Sequence, residues 1–417
     1  MAARHPVGQC RPVAERPSAR GAGTPLYGGD IQLSYGSAIL DGVNPFRFEG
    51  PIDPADLIGR EAEVELLVRH ALDRRIVSVA APRRYGKTSL LRAAGARLER
   101  EHGFVVAHVD LLGLAGPEDF AARFGSAWRR ATSGVKPLRR QLEQLAGGLS
   151  ELGVTLLGSG LTVRRRERAP DGALAVVHAL LDLPGEAEQP VLVVLDEFQA
   201  LHAAWPQGEG VLRSHTQSPQ QTGRVAWAFA GSEPSLLAAA FEDSGRAYYQ
   251  QALRVPMRRL PDVELARGIA ERFESTGRAA GVALGPIVEL AAGHPQRAML
   301  LAHLLHEAVP NGGEATERHW ARALDTARRL VHDECTAVWE SLTPPQRAAL
   351  RAVHLAGSAT AAGTGDTVSR ASRQSAGTAL VRRGLIELDE RPGPRGGRRY
   401  RLVDPMLGDW LVQRSSG

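Results

Sequence analysis

The sequence predicts an α/β fold: a mostly parallel sheet buried on both faces, then a helical segment, then a C-terminal unit of helices and a hairpin. Three observations predict it. Five short apolar runs stand apart in the first part of the chain: Ile76 to Ala80, Phe104 to Val109, Val191 to Leu195, Val225 to Ala230 and Leu253 to Met257. Uninterrupted apolar strands of that length suit a sheet with no wet face, and helical spacing fills the stretches between them. From Asp262 to about Leu342 the period is helical throughout, and the last 75 residues close with two strand-like runs about a turn.

The elements follow in order. Residues 1 to 42 are rich in Arg, Pro, Gly and Ser without periodicity and read as a disordered tail. Asp56 to Leu72 reads as a loop entering an amphipathic helix. The gap of about 80 residues between the second and third runs must hold several helices, with a small hairpin around Leu161 to Arg168. Asp262, Pro286 and Pro295 look like helix starts and Gly293 like a stop. Thr343-Pro344-Pro345-Gln346 has the form of a capping box, opening a helix to about Ala356. A second helical stretch ends near Arg383, with Gly384 as its left-handed stop. Leu385 to Asp389 and Arg398 to Val403 then form a hairpin, and the whole reads as a winged helix-turn-helix. The expected division is 1–42 tail, 43–261 α/β domain, 262–342 helical domain and 343–417 winged helix.

Composition narrows the class. A chain of 417 residues, 43% hydrophobic and 23% charged, is long enough for a full core. No apolar run approaches the roughly 20 residues that span a bilayer, which excludes an integral membrane protein of helices. Two cysteines, Cys10 and Cys335, exclude a disulfide scaffold and a cysteine zinc cluster. No apolar signal core opens the chain, so a cytoplasmic setting is expected. Of 51 basic residues only Lys87 and Lys136 are lysines. Arginine abundance is therefore weak evidence for a polyanionic partner, and a retained lysine is notable.

Lys87 lies in such a place. The first run leads into Ala81-Pro82-Arg83-Arg84-Tyr85-Gly86-Lys87-Thr88-Ser89, a P-loop pattern with Ala in place of the first Gly. Such a loop turns its N–H groups inward onto phosphate oxygens. Gly86 allows close approach, Lys87 places a charge on the phosphates, and Thr88 offers a hydroxyl to Mg²⁺. The following helix points its positive end at the anion. Lys87 is expected to face solvent in the empty loop. The run Val191 to Leu195 ends in Asp196-Glu197-Phe198-Gln199, with the acids at the mouth of the sheet. Asp196 suits Mg²⁺, and Glu197 suits the general base that polarises water. Ser232, after the fourth run, either meets the γ-phosphate and the water or caps the helix that begins at Pro234.

Pro82 to Leu90, with Asp196-Glu197-Phe198-Gln199, resembles the archaeal-type ATPases of the AAA+ superfamily, related to the origin-recognition ATPases and the STAND nucleotide switches. Ile58-Gly59-Arg60-Glu61 is similar to that family's opening motif, and Leu402 to Leu411 to its closing segment. The resemblance implies an AAA+-like P-loop sheet ordered 5-1-4-3-2, an α-helical lid and a C-terminal winged helix. It implies ATP and Mg²⁺ as ligands, where no guanine-reading motif appears. It also implies an arginine finger at Arg246, reaching into a neighbouring subunit, against which stands a plain surface Arg. Gly293-His294-Pro295 resembles the nucleotide-facing lid motif of the STAND relatives, and equally a helix stop and start. In the lid, Gln296 occupies the position where origin-recognition relatives carry a sensor Arg, and Arg297 comes one place late.

Between Arg370 and Arg401 nine Arg face three acids, a balance of +6, while the whole chain is only +5. The cluster falls on the expected recognition helix (Arg370, Arg373, Arg382, Arg383) and wing (Arg391, Arg395, Arg398, Arg399). Duplex DNA is the expected partner, and a winged helix packed as a lid on an acidic surface is the alternative. The sequence thus predicts an ATPase coupling ATP hydrolysis to DNA binding or assembly, as a homo-oligomer or with a partner protein. The alternative function is a slow STAND-like switch acting through protein contacts.

Overall fold

The computed structural model describes residues 44–138, 140, 154–157, 160–163, 170–361, 368–389, 391 and 397–416. The expected tail lies outside the described residues, as do Arg395 and Glu390. Asn44–Gly417 forms one compact unit.

Five strands build the main sheet: β1 (Ile76–Ala80), β2 (Val105–Asp110), β5 (Val191–Asp196), β6 (Val225–Gly231) and β7 (Leu253–Arg254). A separate antiparallel hairpin, β3 (Val154–Leu157) with β4 (Gly160–Val163), sits slightly earlier than the sequence suggests. All pairings in the main sheet are parallel and the order is β2-β5-β6-β1-β7. Numbered within this sheet alone, that is 2-3-4-1-5, the expected order read from the other edge. β7 is shorter than its apolar run. Val255 still donates to Ser78 O at 2.9 Å, but Pro256 has no N–H to continue the ladder.

The period-2 alternation of the strands separates two cores. Val105, Ala107, Val109, Val193, Leu195, Trp227 and Phe229 pack one face against Phe120, Phe124, Trp128 and Leu180. Val77, Val79, Val106, Leu192, Val194, Ala226 and Ala228 pack the other against Leu67, Leu90, Leu91 and Leu98. Register sets the functional edge: Ala80 pairs with Gly231 and Asp110 with Asp196. The carboxyl ends of β1, β5 and β6 therefore open on one side, where the loops meet.

The helices Asp262–Ser275, Leu284–Ala291, Pro295–Ala308 and Glu317–Glu340 follow, then Pro344–Ala356 and Arg370–Arg382. Pro286 sits in the first turn of its helix, as the sequence expects. Gln346 accepts from Thr343 N at 3.0 Å in the predicted capping box, and Gly384 takes φ +65° at the predicted stop. The hairpin β8 (Ile386–Asp389) and β9 (Arg399–Leu402) and a last helix, Pro405–Ser416, end the chain. Phe46, Phe273, Leu301, Trp339, Leu350, Leu380, Ile386 and Trp410 belong to one hydrophobic cluster. The expected boundary at 342/343 thus falls inside a continuous core. Among the described residues no helix is long and apolar enough to cross a membrane.

Candidate nucleotide site

The loop between β1 and the helix Lys87–His102 is a tight turn: Tyr85 N donates to Pro82 O at 3.4 Å, and Leu90 N to Gly86 O at 2.9 Å. Gly86 sits at φ +83° and Arg84 at +68°, the left-handed region that favours glycine. A Cβ on Gly86 would meet nothing within 4 Å, so its backbone dihedral, not space, requires the glycine here. Ala81 is 1% exposed and packs with the sheet core, which explains why a methyl replaces the usual first Gly. Ser89 Oγ accepts from Ile52 N at 3.2 Å and ties down the segment before the first helix. Pro82 is half-buried, and Arg83 and Arg84 are exposed.

Lys87 does not face solvent. It is 7% exposed, with Nζ 3.5 Å from Asp196 and 3.2 Å from Glu197. The expectation of an open lysine fails because two carboxylates at the sheet mouth supply the counter-charge that burial demands. Thr88 donates to Asp196 Oδ2 at 2.6 Å. Glu197 turns through φ +55° and donates its own N–H to Asp196 Oδ1 at 2.9 Å. Its Oε2 accepts from Ser232 N (3.1 Å), Ser232 Oγ (2.7 Å) and Gln199 Nε2 (2.5 Å). Burial raises the Glu197 pKa, but the Lys87 ammonium and the hydrogen bonds outweigh it and hold the carboxyl below its usual range. Ser232 therefore serves the acid; the residue at the N-cap of Pro234–Glu242 is Glu233.

The helical segment after the sheet meets the loop at His294. Its ring packs edge-on to Tyr85 at 5.1 Å, and its Nδ1 accepts from Arg297 N at 3.3 Å, capping the helix that Pro295 opens. The helix stop and start expected at Gly293-His294-Pro295 is present, and the His294 ring lies against Tyr85 of the loop. Burial pushes the His294 pKa down to about 3, so the ring is neutral. Arg297 does not reach the site: it pairs with Asp404 and with Glu334 at 3.1 Å.

Further side chains tie the loop to distant parts of the chain. Tyr85 donates to Glu387 of β8, 2.9 Å from both oxygens. Glu387 also takes Arg259 at 2.6 Å and Arg401 at 2.8 Å. Arg259 reaches Val403 O at 2.8 Å and Ala292 O at 2.8 Å. Arg84 forks onto Glu334 at 2.7 and 2.9 Å. Arg60, 2% exposed, donates to Glu63 at 2.8 Å, while its second amine finds no partner among the described residues. Asp404 and Arg60 lie in segments that the resemblance singles out, but Glu387 and Arg259 had no such signal.

Arg246, the expected finger, forms a two-pronged pair with Glu209 of its own chain, with Nε at 2.9 Å; Glu209 is 4% exposed. The basic cluster is also largely engaged. Arg391 and Arg399 pair with the buried Asp389 at 2.7 and 3.3 Å, and hydrogen bonds from Arg391 hold that carboxyl down to about 2. Arg383 donates to Ser341 Oγ at 2.7 Å. Arg373, expected on a DNA-facing surface, is 5% exposed, and its helix Arg370–Arg382 packs against Pro234–Glu242. Arg370, Arg382 and Arg398 are exposed, with no ion pair among the described residues.

The family model of the AAA ATPase domain matches residues 56–227. This chain carries an AAA ATPase domain. The ATPase shares its fold with the Walker-type ATPase of Pyrococcus abyssi at 16% identity and TM-score 0.62, over 88% of this chain and 99% of that one. It shares it also with the ORC2 protein of Aeropyrum pernix, solved in ADPNP-ADP complexes, at 18% identity and TM-score 0.54, over 88% and 98%. At these identities the likeness is one of fold. No curated protein sequence matches the ATPase.

Proposed function

We propose that this ATPase is a nucleotide-driven switch whose C-terminal helices and hairpin, read as a winged helix, respond to the state of the P-loop. The observation that carries this reading is the hydrogen bond from Tyr85, inside the loop, to Glu387 of β8. A loop that rearranges around phosphates strains that bond directly. Arg84 on Glu334 gives the lid the same kind of link.

In the hydrolytic step Lys87 leaves the two acids for the β- and γ-phosphates. Thr88 and Asp196 fit Mg²⁺, since a hydroxyl and a carboxylate already meet at one point and both are oxygen donors. The ion, when bound, neutralises charge on the phosphate oxygens. Glu197 accepts a proton from water as the water oxygen bonds to the γ-phosphorus and the bond to the ADP oxygen breaks. His294, neutral beside Tyr85, adds no charge to the pocket wall. Arg246 reaches a neighbouring subunit only if it leaves Glu209.

Duplex DNA remains a second reading, favoured by the exposed Arg370, Arg382 and Arg398. In the arrangement seen, one face of the expected recognition helix is covered, so DNA binding follows release of that helix from Pro234–Glu242.

The switch is tested by release of a fluorescent ADP in stopped flow. Tyr85→Phe removes one charge-assisted hydrogen bond, about 1.5–3 kcal/mol, and is expected to change the release rate several-fold, as is Glu387→Gln. Release at the wild-type rate in both variants refutes the coupling.

A further inference from the structure

We propose that Gln199 is a positioning residue for hydrolysis: together with Ser232 it anchors one oxygen of the Glu197 carboxylate so that the other faces the reacting water. The proposal rests on the reading of Glu197 as the base and adds a residue to which no role has been given.

The geometry around the carboxylate is asymmetric. Oε2 is held by three donors, two from Ser232 and one from Gln199. Oε1 meets Lys87 Nζ at 3.2 Å. Once Lys87 turns to phosphate, Oε1 is the oxygen left to take a proton, while Oε2 stays fixed. Anchoring matters here because Glu197 follows the end of β5 on a left-handed residue, φ +55°, and has no strand ladder to orient it. The type of donor matters too. A carboxamide N–H is neutral, so it steers the carboxylate without adding a second cation that would make it a poorer base.

The opposite side of the Gln199 amide shows that the space for it is built. Its Oε1 is buried without a hydrogen-bond partner among the described residues. It lies 2.3 Å from where a Cβ on Gly231 would stand. Only glycine at that position leaves room for the amide. The conflict is with the tip of a flexible side chain and not with backbone, so a methyl there would displace Gln199 and leave β6 in place. An acceptor held buried and unpaired carries a cost. Gln199 bears it in the one pose that brings Nε2 onto Glu197.

Two variants approach the same bond from opposite sides. Gln199→Leu removes the amide at similar volume, and Gly231→Ala pushes it away. Each is expected to lower kcat about tenfold or more, toward the loss seen when a base is misplaced. KM for ATP, and ADP affinity measured by calorimetry without Mg²⁺, should stay within about threefold, since Gly231 meets the loop only through its carbonyl, which accepts from Ala81 N at 3.3 Å and which neither substitution removes. The double variant should cost no more than the worse single one, because both break one contact. Wild-type kcat in either folded variant overturns the proposal. So does a joint fall of kcat and ADP affinity, which marks a structural role, or costs that multiply in the double variant. If Gln199→Leu does not fold, Gly231→Ala decides alone. Wild-type turnover in Glu197→Gln overturns the base reading beneath the proposal, and is seen separately from any effect of Gln199.

Discussion

The P-loop pattern holds one lysine, and the last hairpin with its preceding helix holds nine arginines, yet it is the lysine that lies buried between two acids at the mouth of the sheet. Lys87 is held by Asp196 and Glu197, the two acids that the proposed hydrolysis uses, so on that proposal its pairing is made to be exchanged. Arg391, Arg399 and Arg401 are held by Asp389 and Glu387, acids of the same hairpin, and their pairing closes the fold. Counting charge therefore misleads where counting free charge does not. The +6, which already counts the acids of the hairpin, shrinks to four exposed arginines without an ion pair among the described residues, Arg370, Arg382, Arg383 and Arg398, since Arg373 is buried, and this is what moves the functional reading from DNA toward a switch.

The largest effect should come from breaking the exchangeable pairing. Lys87→Ala leaves Asp196 and Glu197 close together and uncompensated in a buried site. Loss of ATP binding by calorimetry is expected. So is a loss of stability of about 3 kcal/mol or more in urea unfolding, the scale for one partner removed from a buried pair. Unchanged stability would return Lys87 to the solvent-facing role that the sequence suggested. Glu197→Gln keeps the shape of the site and the nucleotide but removes the base. Single-turnover hydrolysis should fall roughly 100-fold or more, with ATP still bound.

A smaller effect separates the lid from the hairpin. His294 titrates near 3 in the fold and near 6.5 in the unfolded chain. Between those values the unfolded state binds the extra proton, so stability falls as pH drops from 6.5 toward 3. His294→Asn retains a capping side chain and should make that fall shallower in pH-dependent melting. His306 and His108, each pushed down to about 4 by burial, keep part of it. An identical slope in the variant would mean that the ring is charged in the fold. The smallest effect concerns the free arginines. Arg370, Arg382 and Arg398 changed together to Ala should flatten the slope of log K against log salt by roughly 2 to 3 for duplex DNA. No duplex binding by the wild type at low salt would leave the switch alone.

Much of this was legible where the signal is local. The strands announced themselves as apolar runs, and the P-loop and the paired acids lie within a few residues of strand ends. Ser232 was legible as a residue at the end of its strand, but its two bonds to Glu197 are not among the roles that the sequence suggested. Tyr85 and Glu387 stand 302 positions apart, and no periodicity or spacing links them. The inward turn of Arg373 follows from which helix face packs on Pro234–Glu242, a tertiary fact that composition does not carry. The early end of β7 was in plain view as Pro256, but an apolar run outweighed it.

That early end has a consequence for the chain as one molecule among many. An outer strand offers its unpaired N–H and C=O groups to any strand that drifts past, and a long flat one seeds aggregation. On the β7 side of the sheet the outer strand is Leu253–Arg254, two residues long, and Pro256 after it has no N–H to offer. Leu253 lies 45% exposed on it and would otherwise be an adhesive spot. The sheet whose carboxyl ends carry the P-loop pattern thus has, along β7, a border too brief for a second copy to extend.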